Sequence, residues 1–244
     1  MDSPKQLGGD RTLIDNVVSP LAIACLAVFS LAVSVACQFT AHNLSPDPSP
    51  LALQLYCAGI CLSLFYTGPP FPLKYCALGD LTILMTFCPL TVLYATTTLG
   101  VPHEAALSLV LPFSLPLSLV TVGILQGNNH RDIDTDTEAG ITTVANLLGP
   151  SRSGQYYALL LLSSYLVPLS YALGASSFSF FSPLPSSVVT GYATGVLLTA
   201  PVALATVQNA EKNKASLDED TAKLHMLHGV MGCVGMYVGS TWGS

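Results

Sequence analysis

The sequence predicts an all-α protein that crosses a membrane several times. Of its 244 residues, 51% are hydrophobic and only 9% are charged, whereas soluble domains carry about 25% charged residues. The apolar residues form continuous runs and do not alternate with polar ones, which disfavours a β-barrel. Stretches without Asp, Glu, Lys or Arg, such as residues 16–46 and 153–210, are long enough for spanning helices of about 20 residues.

The charge-free windows place the spans in order along the chain. The window at 153–210 accommodates two helices and a loop, and each of the other windows accommodates one helix. Prolines inside the spans, such as Pro89 and Pro201, are tolerated in membrane helices because neighbouring groups satisfy the freed backbone. The predicted bundle therefore has seven spans, at residues 17–38, 50–66, 80–99, 104–126, 154–174, 185–207 and 224–241.

The even spacing of the spans predicts a single domain covering residues 1–244, since no long polar linker divides them. The net charge of −6 argues against nucleic acid as a partner, and the lipid bilayer is the expected surrounding. Residues 1–5 are polar and do not form a signal peptide. We therefore expect internal helices to direct membrane insertion.

The basic residues predict the orientation of the bundle. Seven spans assign the loops at 1–16, 67–79, 127–153 and 208–223 to one face of the membrane, which we call side one. All eight Lys and Arg residues lie on side one. Because positively charged loops stay in the cytosol, side one is predicted to face the cytosol or the equivalent matrix or stroma. These residues are Lys5, Arg11, Lys74, Arg131, Arg152, Lys212, Lys214 and Lys223.

The stretch from Gly127 to Gly140, here called the polar island, interrupts the apolar sequence with acids, asparagines and one arginine. Asp132 and Asp136 are four residues apart and would share one helix face with Asn128. Mg²⁺ takes one or two carboxylates and completes its shell with water and substrate phosphate, and the planar Arg131 guanidinium suits phosphate oxygens. The island thus predicts a metal-bound diphosphate; the structural alternative is a hydrated loop whose acids cap a helix.

A second loop on side one, residues 66–80, contains three prolines and two glycines and predicts a stiff turn. Lys74 in this loop offers a point charge for phosphate, and the alternative is a lysine that serves topology alone. Asp80 opens the next span, where an acid is favourable at a helix N-terminus.

Two further loops carry charges that we interpret more simply. The acids at 218–220 are interpreted as solvated residues that start the last helix, and His225 and His228 as a helix-end pair rather than half a metal site. Asp10 and Asp15 are five residues apart, which is a poor helical pair and no second metal motif.

Four of these stretches resemble the UbiA superfamily of intramembrane prenyltransferases. Residues 128–140 resemble its second aspartate-rich motif, and residues 66–80 its proline- and glycine-rich substrate loop. Residues 10–15 resemble the segment that follows its first aspartate-rich motif, and residues 221–224 the entry to its last helix. The details of these stretches are most similar to the naphthoquinone branch, which comprises MenA-type dihydroxynaphthoate prenyltransferases and UbiA prenyltransferase domain-containing proteins. Residues 79–90 especially resemble the latter.

The resemblance extends over essentially the whole chain, yet the family has nine spans and two aspartate-rich motifs. Seven spans and one such motif are found here. We therefore expect a UbiA-like domain that lacks its first two helices, either as a truncated form or through a gene model begun at an internal Met.

The resemblance implies a prenyltransferase that moves a polyprenyl group from an allylic diphosphate to an aromatic, naphthoquinol-type acceptor in menaquinone, vitamin K or related quinone biosynthesis. This activity would be impaired in a truncated chain. By the same resemblance, Asp132 and Asp136 ligate Mg²⁺ and, with Arg131, are the catalytic residues. The implied substrate-binding residues are Lys74, Asn128, Asn129, Tyr66 and Lys223.

Two alternatives remain open from the sequence. The first is a non-catalytic membrane protein of the same fold that binds a lipid or a protein partner. The second is an ion-coupled transporter that uses Asp132 and Asp136 as a cation site. The position of these acids at one membrane face rather than at the midplane weighs against the transporter.

Overall fold

A computed structural model describes residues 17–45, 48–102, 105–107, 113–174 and 184–242. Within these ranges the chain is helical apart from short connections, and strand-like pairing is limited to one bridge between Cys76 and Thr142. The predicted all-α class is confirmed. Residues 10–15 lie outside the described residues. The family resemblance of this segment, and the prediction that Asp10 and Asp15 form no second metal motif, concern that part of the sequence.

The helices follow the order that the charge-free windows predict. Short 3₁₀ turns occur at Leu73–Tyr75 and Lys214–Ser216. The α-helices of the described part are α1 (Pro20–Leu44), α2 (Pro50–Thr67), α3 (Gly79–Met85), α4 (Thr91–Thr98), α5 (Leu115–Arg131), α6 (Ile133–Glu138), α7 (Val144–Ala172), α8 (Ser186–Leu197), α9 (Ala200–Asn209) and α10 (Leu217–Trp242).

In the described part of the chain, four helical stretches are long and apolar enough to cross a membrane: α1, α2, α3 with α4, and α8 with α9. The other three predicted spans overlap α5, α7 and α10. These helices are not among the four stretches that are long and apolar enough to cross a membrane. α7 starts at Val144 and α10 at Leu217, ahead of the predicted positions 154 and 224. Polar residues at the helix ends interrupt the charge-free windows, so the windows underestimate these helices.

The early start of α7 has a local cause. The Thr143 hydroxyl accepts a hydrogen bond from the Asn146 backbone N–H, and the Asn146 side chain accepts one from the Thr143 backbone N–H. This reciprocal pair satisfies N–H groups that would otherwise be unpaired at a helix start. Gly149 then adopts φ 73° before Pro150 and kinks the helix, a conformation that glycine accepts without a Cβ penalty.

Helices α5, α7, α8 and α10 pack around a common core, each against its neighbours in the set. Large apolar side chains such as Leu161, Val196 and Leu224 are buried there. Buried hydroxyls in this core are paired, as in Tyr157 with Thr221 at 2.7 Å. Pairing is required because an unsatisfied polar group inside a membrane bundle is costly.

Helices α1 to α4 pack more loosely beside this four-helix core. α2 lies against α4, and α3 lies against α5. α1 is exposed along almost its whole length and is tied to the others by side-chain hydrogen bonds, Ser34 with Tyr56 and Tyr94 with Gln38. An apolar helix with so much exposed surface suits contact with lipid.

Between α3 and α4, residues Thr86–Leu90 form one π-helical turn around Pro89. Proline has no N–H and displaces a helix from its regular hydrogen bonds. The Ser114 hydroxyl donates to the Cys88 carbonyl oxygen at 3.1 Å, and the Thr91 hydroxyl donates to the Thr86 carbonyl oxygen at 2.7 Å. These hydroxyls satisfy backbone groups of the distorted turn.

The contact between α8 and α10 depends on glycine. A Cβ placed on Gly195 would overlap the Met231 carbonyl oxygen, and a Cβ on Gly235 would overlap the Gly191 carbonyl oxygen. The two backbones therefore touch directly, as small residues allow in membrane helices. No side chain can be accommodated at either position without separating the helices.

We expect Gly235→Ala to destabilise the protein by about 1–3 kcal/mol, because the added methyl group must push α8 and α10 apart. Gly229→Ala on the same helix is the matched control, since its Cβ would meet Leu117 at 3.7 Å, an ordinary contact. Thermal unfolding of the detergent-solubilised chain measures both. Equal unfolding midpoints for the two variants would contradict the direct backbone contact.

Candidate functional site

Backbone hydrogen bonds hold the loop after α2 against the end of the polar island. The Ala77 N–H donates to the Thr142 carbonyl oxygen at 2.8 Å, and the Thr142 N–H donates to the Tyr75 carbonyl oxygen at 3.1 Å. Ala77 has φ 59°, an uncommon conformation for a residue with a Cβ that surrounding contacts must hold. The loop carrying Lys74 is thereby fixed beside the island.

The island itself is a helix end followed by a short helix. Asp132 ends α5 and precedes α6, with φ −96° and ψ 12°. The Asp136 N–H donates to the Asp132 carbonyl oxygen at 2.8 Å, so the two acids stand one helical turn apart. Asp134 and Glu138 are exposed to solvent.

The charges of the two loops affect one another. Partial burial raises the pKa of Asp136 above its ordinary value, the neighbouring Asp132 raises it further, and Lys74 lowers it. Asp132 is therefore close enough to repel Asp136, and Lys74 is close enough to attract it. A cation between the two carboxylates would relieve this repulsion.

Arg131 is the most tightly held residue of the site. Its Nε donates to Asp132 Oδ1 at 2.8 Å and its Nη2 to Asp132 Oδ2 at 3.0 Å, while Nη1 donates to Asp218 Oδ2 at 2.9 Å. The side chain is only 6% exposed. The hydrogen bonds to Asp132 are the main cause that raises the Arg131 pKa above its ordinary value.

Asn128 completes this cluster one turn before Asp132. In one orientation of its amide it donates to Asp218 Oδ2 at 3.4 Å. In the other it donates to Asp132 Oδ2 at 3.3 Å and accepts from Arg131 Nη2 at 2.9 Å. Asn128, Arg131, Asp132 and Asp218 thus form one connected group, here called the arginine cluster.

Asp218 is a site residue that the sequence interpretation missed. We interpreted the acids at 218–220 as solvated, and this is wrong for Asp218, whose side chain is only 20% exposed and bound to Arg131. The contact forms because α10 passes close to Gly127, where a Cβ would come within 3.2 Å of the Asp218 backbone nitrogen. An acid in the first turn of a helix is expected for its dipole alone, so the local sequence carries no signal of this pairing.

Behind the arginine cluster lies a buried polar network around His130. Its Nδ1 shares a hydrogen bond with the Ser153 hydroxyl at 2.9 Å, and Gln126 Nε2 donates to the same hydroxyl at 2.8 Å. His130 Nε2 lies 3.3 Å from Glu211 Oε1, and Glu211 Oε2 pairs with Lys214 Nζ at 2.9 Å. The network joins α5, α7 and the loop before α10, and sequence spacing gives no hint of it.

The remaining predicted substrate residues lie around the arginine cluster rather than in it. Asn129 is buried in α5. Tyr66 is half-buried near Asp80, and Asp80 is 7% exposed and lies near the Tyr156 hydroxyl. Lys223 is exposed and pairs with Asp220 at 2.9 Å; its contact with substrate stays a prediction.

The two histidines of α10 lie well inside the helix and do not form a helix-end pair. His228 is fully buried, and its ring meets the Tyr165 ring edge to face at 5.3 Å between centroids. His225 lines a cavity instead. α10 begins at Leu217, earlier than the charge-free window indicates. Both histidines therefore lie further from the start of the helix than the sequence predicts.

The donor set of the island suits a hard cation such as Mg²⁺. Asp132, Asp136 and the Asn128 amide offer oxygen ligands, which Mg²⁺ prefers. Within the described residues, no group of three or more His, Cys, Asp or Glu side chains forms a metal site by itself. Substrate oxygens and water would therefore have to complete the coordination shell.

An apolar cavity of about 620 Å³ lies between α4, α5 and α10. On α5 the cavity begins at Thr121, two helical turns or about 10 Å along the helix from Asn128. On α10 it begins at His225, the same distance along the helix from Asp218. It extends along α10 as far as Met236. The cavity therefore leads away from the polar end along the helices that carry it.

Comparison with known proteins agrees with these features. The UbiA prenyltransferase family profile matches residues 8–227. "UbiA prenyltransferase domain-containing protein 1" of Homo sapiens is 36% identical over 223 residues, which cover 91% of this chain and 60% of the relative. The Danio rerio protein of the same name is 35% identical over 222 residues, 91% of this chain and 61% of the relative.

The Drosophila melanogaster homolog is 30% identical over 239 residues, 93% of this chain and 59% of the relative. The chain thus spans about 60% of the length of the curated relatives that it matches. The match nevertheless covers the polar island, the substrate loop and nearly all described helices. The chain belongs to the UbiA prenyltransferase family.

Proposed function

We propose that this protein transfers a polyprenyl group from an allylic diphosphate to an aromatic, naphthoquinol-type acceptor, as in the biosynthesis of menaquinone, vitamin K or a related quinone. We further propose that residues 1–244 belong to one membrane domain of this fold. The observation that carries the proposal is the joining of two polar loops, through Thr142, at the end of the bundle from which the apolar cavity leads away.

The two halves of an allylic diphosphate match this arrangement. The diphosphate is a polyanion. Lys74 and Arg131 offer it positive charge, and the carboxylates of Asp132 and Asp136 would hold a Mg²⁺ ion that binds it. The prenyl tail is apolar and fits a cavity lined by residues such as Phe87, Val92 and Leu117. The family membership supports this division of roles.

The proposed chemistry is stabilisation of a leaving diphosphate. A bound Mg²⁺ supplies Lewis-acid stabilisation of charge on the phosphate oxygens. Asp132 and Asp136 would hold this Mg²⁺ through their carboxylates, and Lys74 neutralises charge that develops as the allylic C–O bond breaks. The apolar cavity keeps water away from the allylic cation until the aromatic ring forms the new C–C bond, and the ring carbon then loses its proton to the released diphosphate.

The acceptor class rests on a separate observation. Residues 79–90, which include Asp80 and the π-helical turn, resemble the naphthoquinone branch of the family. Asp80, Tyr66 and Tyr156 form a partly buried polar group next to the substrate loop. Such a group supplies hydrogen-bonding partners for a hydroxylated ring.

We expect Asp132→Asn and Asp136→Asn each to lower prenyl transfer about 100-fold or more, because each removes a carboxylate that would hold the Mg²⁺ on which the diphosphate depends. Asp134→Asn removes the same charge from an exposed position in the same short helix and is expected to retain activity. The assay uses radiolabelled prenyl diphosphate, a naphthoquinol and Mg²⁺ with membranes containing the chain. Equal product from all three variants and the parent would rule out the proposed metal site.

We expect Lys74→Met to raise the KM for prenyl diphosphate about tenfold, as for loss of one charged hydrogen bond. Lys212→Met is the control, since Lys212 is an exposed lysine predicted on the same side of the membrane. Steady-state kinetics at saturating acceptor separates KM from kcat. Unchanged KM and kcat in Lys74→Met would assign Lys74 to topology alone.

We propose that the polar site faces the cytosol or the equivalent compartment. With the other cysteines replaced, we expect Cys76, which is exposed in the substrate loop, to react with a membrane-impermeant maleimide from that side. Asn43 lies at the C-terminal end of α1, which the seven-span order places on the other face of the membrane. A cysteine introduced by Asn43→Cys is therefore expected to react from that other side. Labelling of both from one side would refute the seven-span topology.

A further inference from the structure

We infer that Asp218 is a positioning residue for Arg131, keeping the guanidinium at the site while Asp132 turns towards a metal ion. The inference rests on the proposed function, because it assumes that Asp132 is a metal ligand. It adds a residue from α10 to a site otherwise built from α5, α6 and the substrate loop.

Arg131 and a metal ion compete for the same carboxylate. Nε and Nη2 of Arg131 engage Oδ1 and Oδ2 of Asp132, at 2.8 and 3.0 Å. A cation that binds Asp132 therefore competes with these hydrogen bonds for the charge and the oxygens of the same carboxylate. The arginine acts as the counter-ion of Asp132, and its hold on Asp132 weakens once a metal binds there.

Release of Arg131 without a second partner would be unfavourable. Its side chain is 6% exposed, and a buried charge that loses its partner is strongly destabilising. Asp218 Oδ2 already accepts from Nη1 at 2.9 Å. The guanidinium can therefore shift its other N–H groups towards Asp218 without leaving the cluster.

Asp218 has an acceptor available for this shift. Its Oδ1 is buried, and within the described part of the chain it receives no hydrogen bond. A carboxylate can accept a forked pair of N–H groups from arginine. Arg131 can therefore have two positions: one bound mainly to Asp132, and one bound to both oxygens of Asp218.

The position of Asp218 is fixed by its surroundings. Leu217 is fully buried next to it, and the Thr221 hydroxyl is bonded to Tyr157 at 2.7 Å one turn later. Gly127 lies against the Asp218 backbone. The first turn of α10 is therefore packed firmly enough to serve as an anchor.

The neighbouring acids do not share this role. Asp220 pairs with Lys223 at 2.9 Å and accepts from the Ser216 hydroxyl at 3.2 Å. Glu219 is exposed. Glu219 therefore offers a matched control, with the same charge in the same helical turn but without contact to Arg131.

The test measures Mn²⁺ affinity by electron paramagnetic resonance, with the full chain in lipid nanodiscs and no diphosphate. We expect Asp218→Asn to weaken Mn²⁺ binding about tenfold, within the range of couplings between neighbouring charges, because Arg131 then competes harder for Asp132. Asp218→Glu, which keeps a carboxylate, and Glu219→Gln are expected to stay within about twofold of the parent. Unchanged binding in Asp218→Asn, or equal losses in Asp218→Asn and Glu219→Gln, would overturn the inference.

A second arm establishes that Asp218 acts through Arg131. In an Arg131→Gln background the competitor is absent, so we expect Asp218→Asn to have no further effect on Mn²⁺ affinity. An equal loss in both backgrounds would identify Asp218 as a direct ligand or a distant charge and would overturn the inference. Asp132→Asn tests the proposed function separately: if it binds Mn²⁺ like the parent, the proposed metal site fails whatever the Asp218 variants do.

Discussion

The functional end of this protein depends on the two backbone hydrogen bonds at Thr142. They join a loop between α2 and α3 to the end of the polar island, and these segments are otherwise connected through a long stretch of membrane helix. Without this pairing, Lys74 would have no fixed relation to Asp136. Because both partners are backbone groups, the junction tolerates side-chain variation but not displacement of either loop.

A second constraint is that charge must be paired where water is scarce. Arg131 is neutralised by acids from its own segment and from α10, and the buried His130 ring shares a hydrogen bond with the Ser153 hydroxyl of α7. These contacts tie the island to two helices of the core. The electrostatic demands of the site and the packing of α5, α7 and α10 are therefore satisfied by the same contacts.

The sequence predicts the helical class, the order of the helices and the position of the island, since these depend on composition and local spacing. It places α7 and α10 too late, because Arg152 and Lys223 lie inside these helices and end the charge-free windows there. It misses Asp218 and the His130 network, since both are created by packing between distant segments. Contacts of that kind leave no periodic signal in a single chain.

The π-helical turn at Thr86–Leu90 separates two tasks of one span. One additional residue in a helical turn rotates everything beyond it by about 100°. α3 can therefore direct Asp80 into the polar end, while Thr91 and Thr96 of α4 face the cavity on an independent register. Substitutions in α4 can therefore change the length or lining of the cavity without rotating the acid in α3 out of place, so the cavity and the polar end can diverge separately.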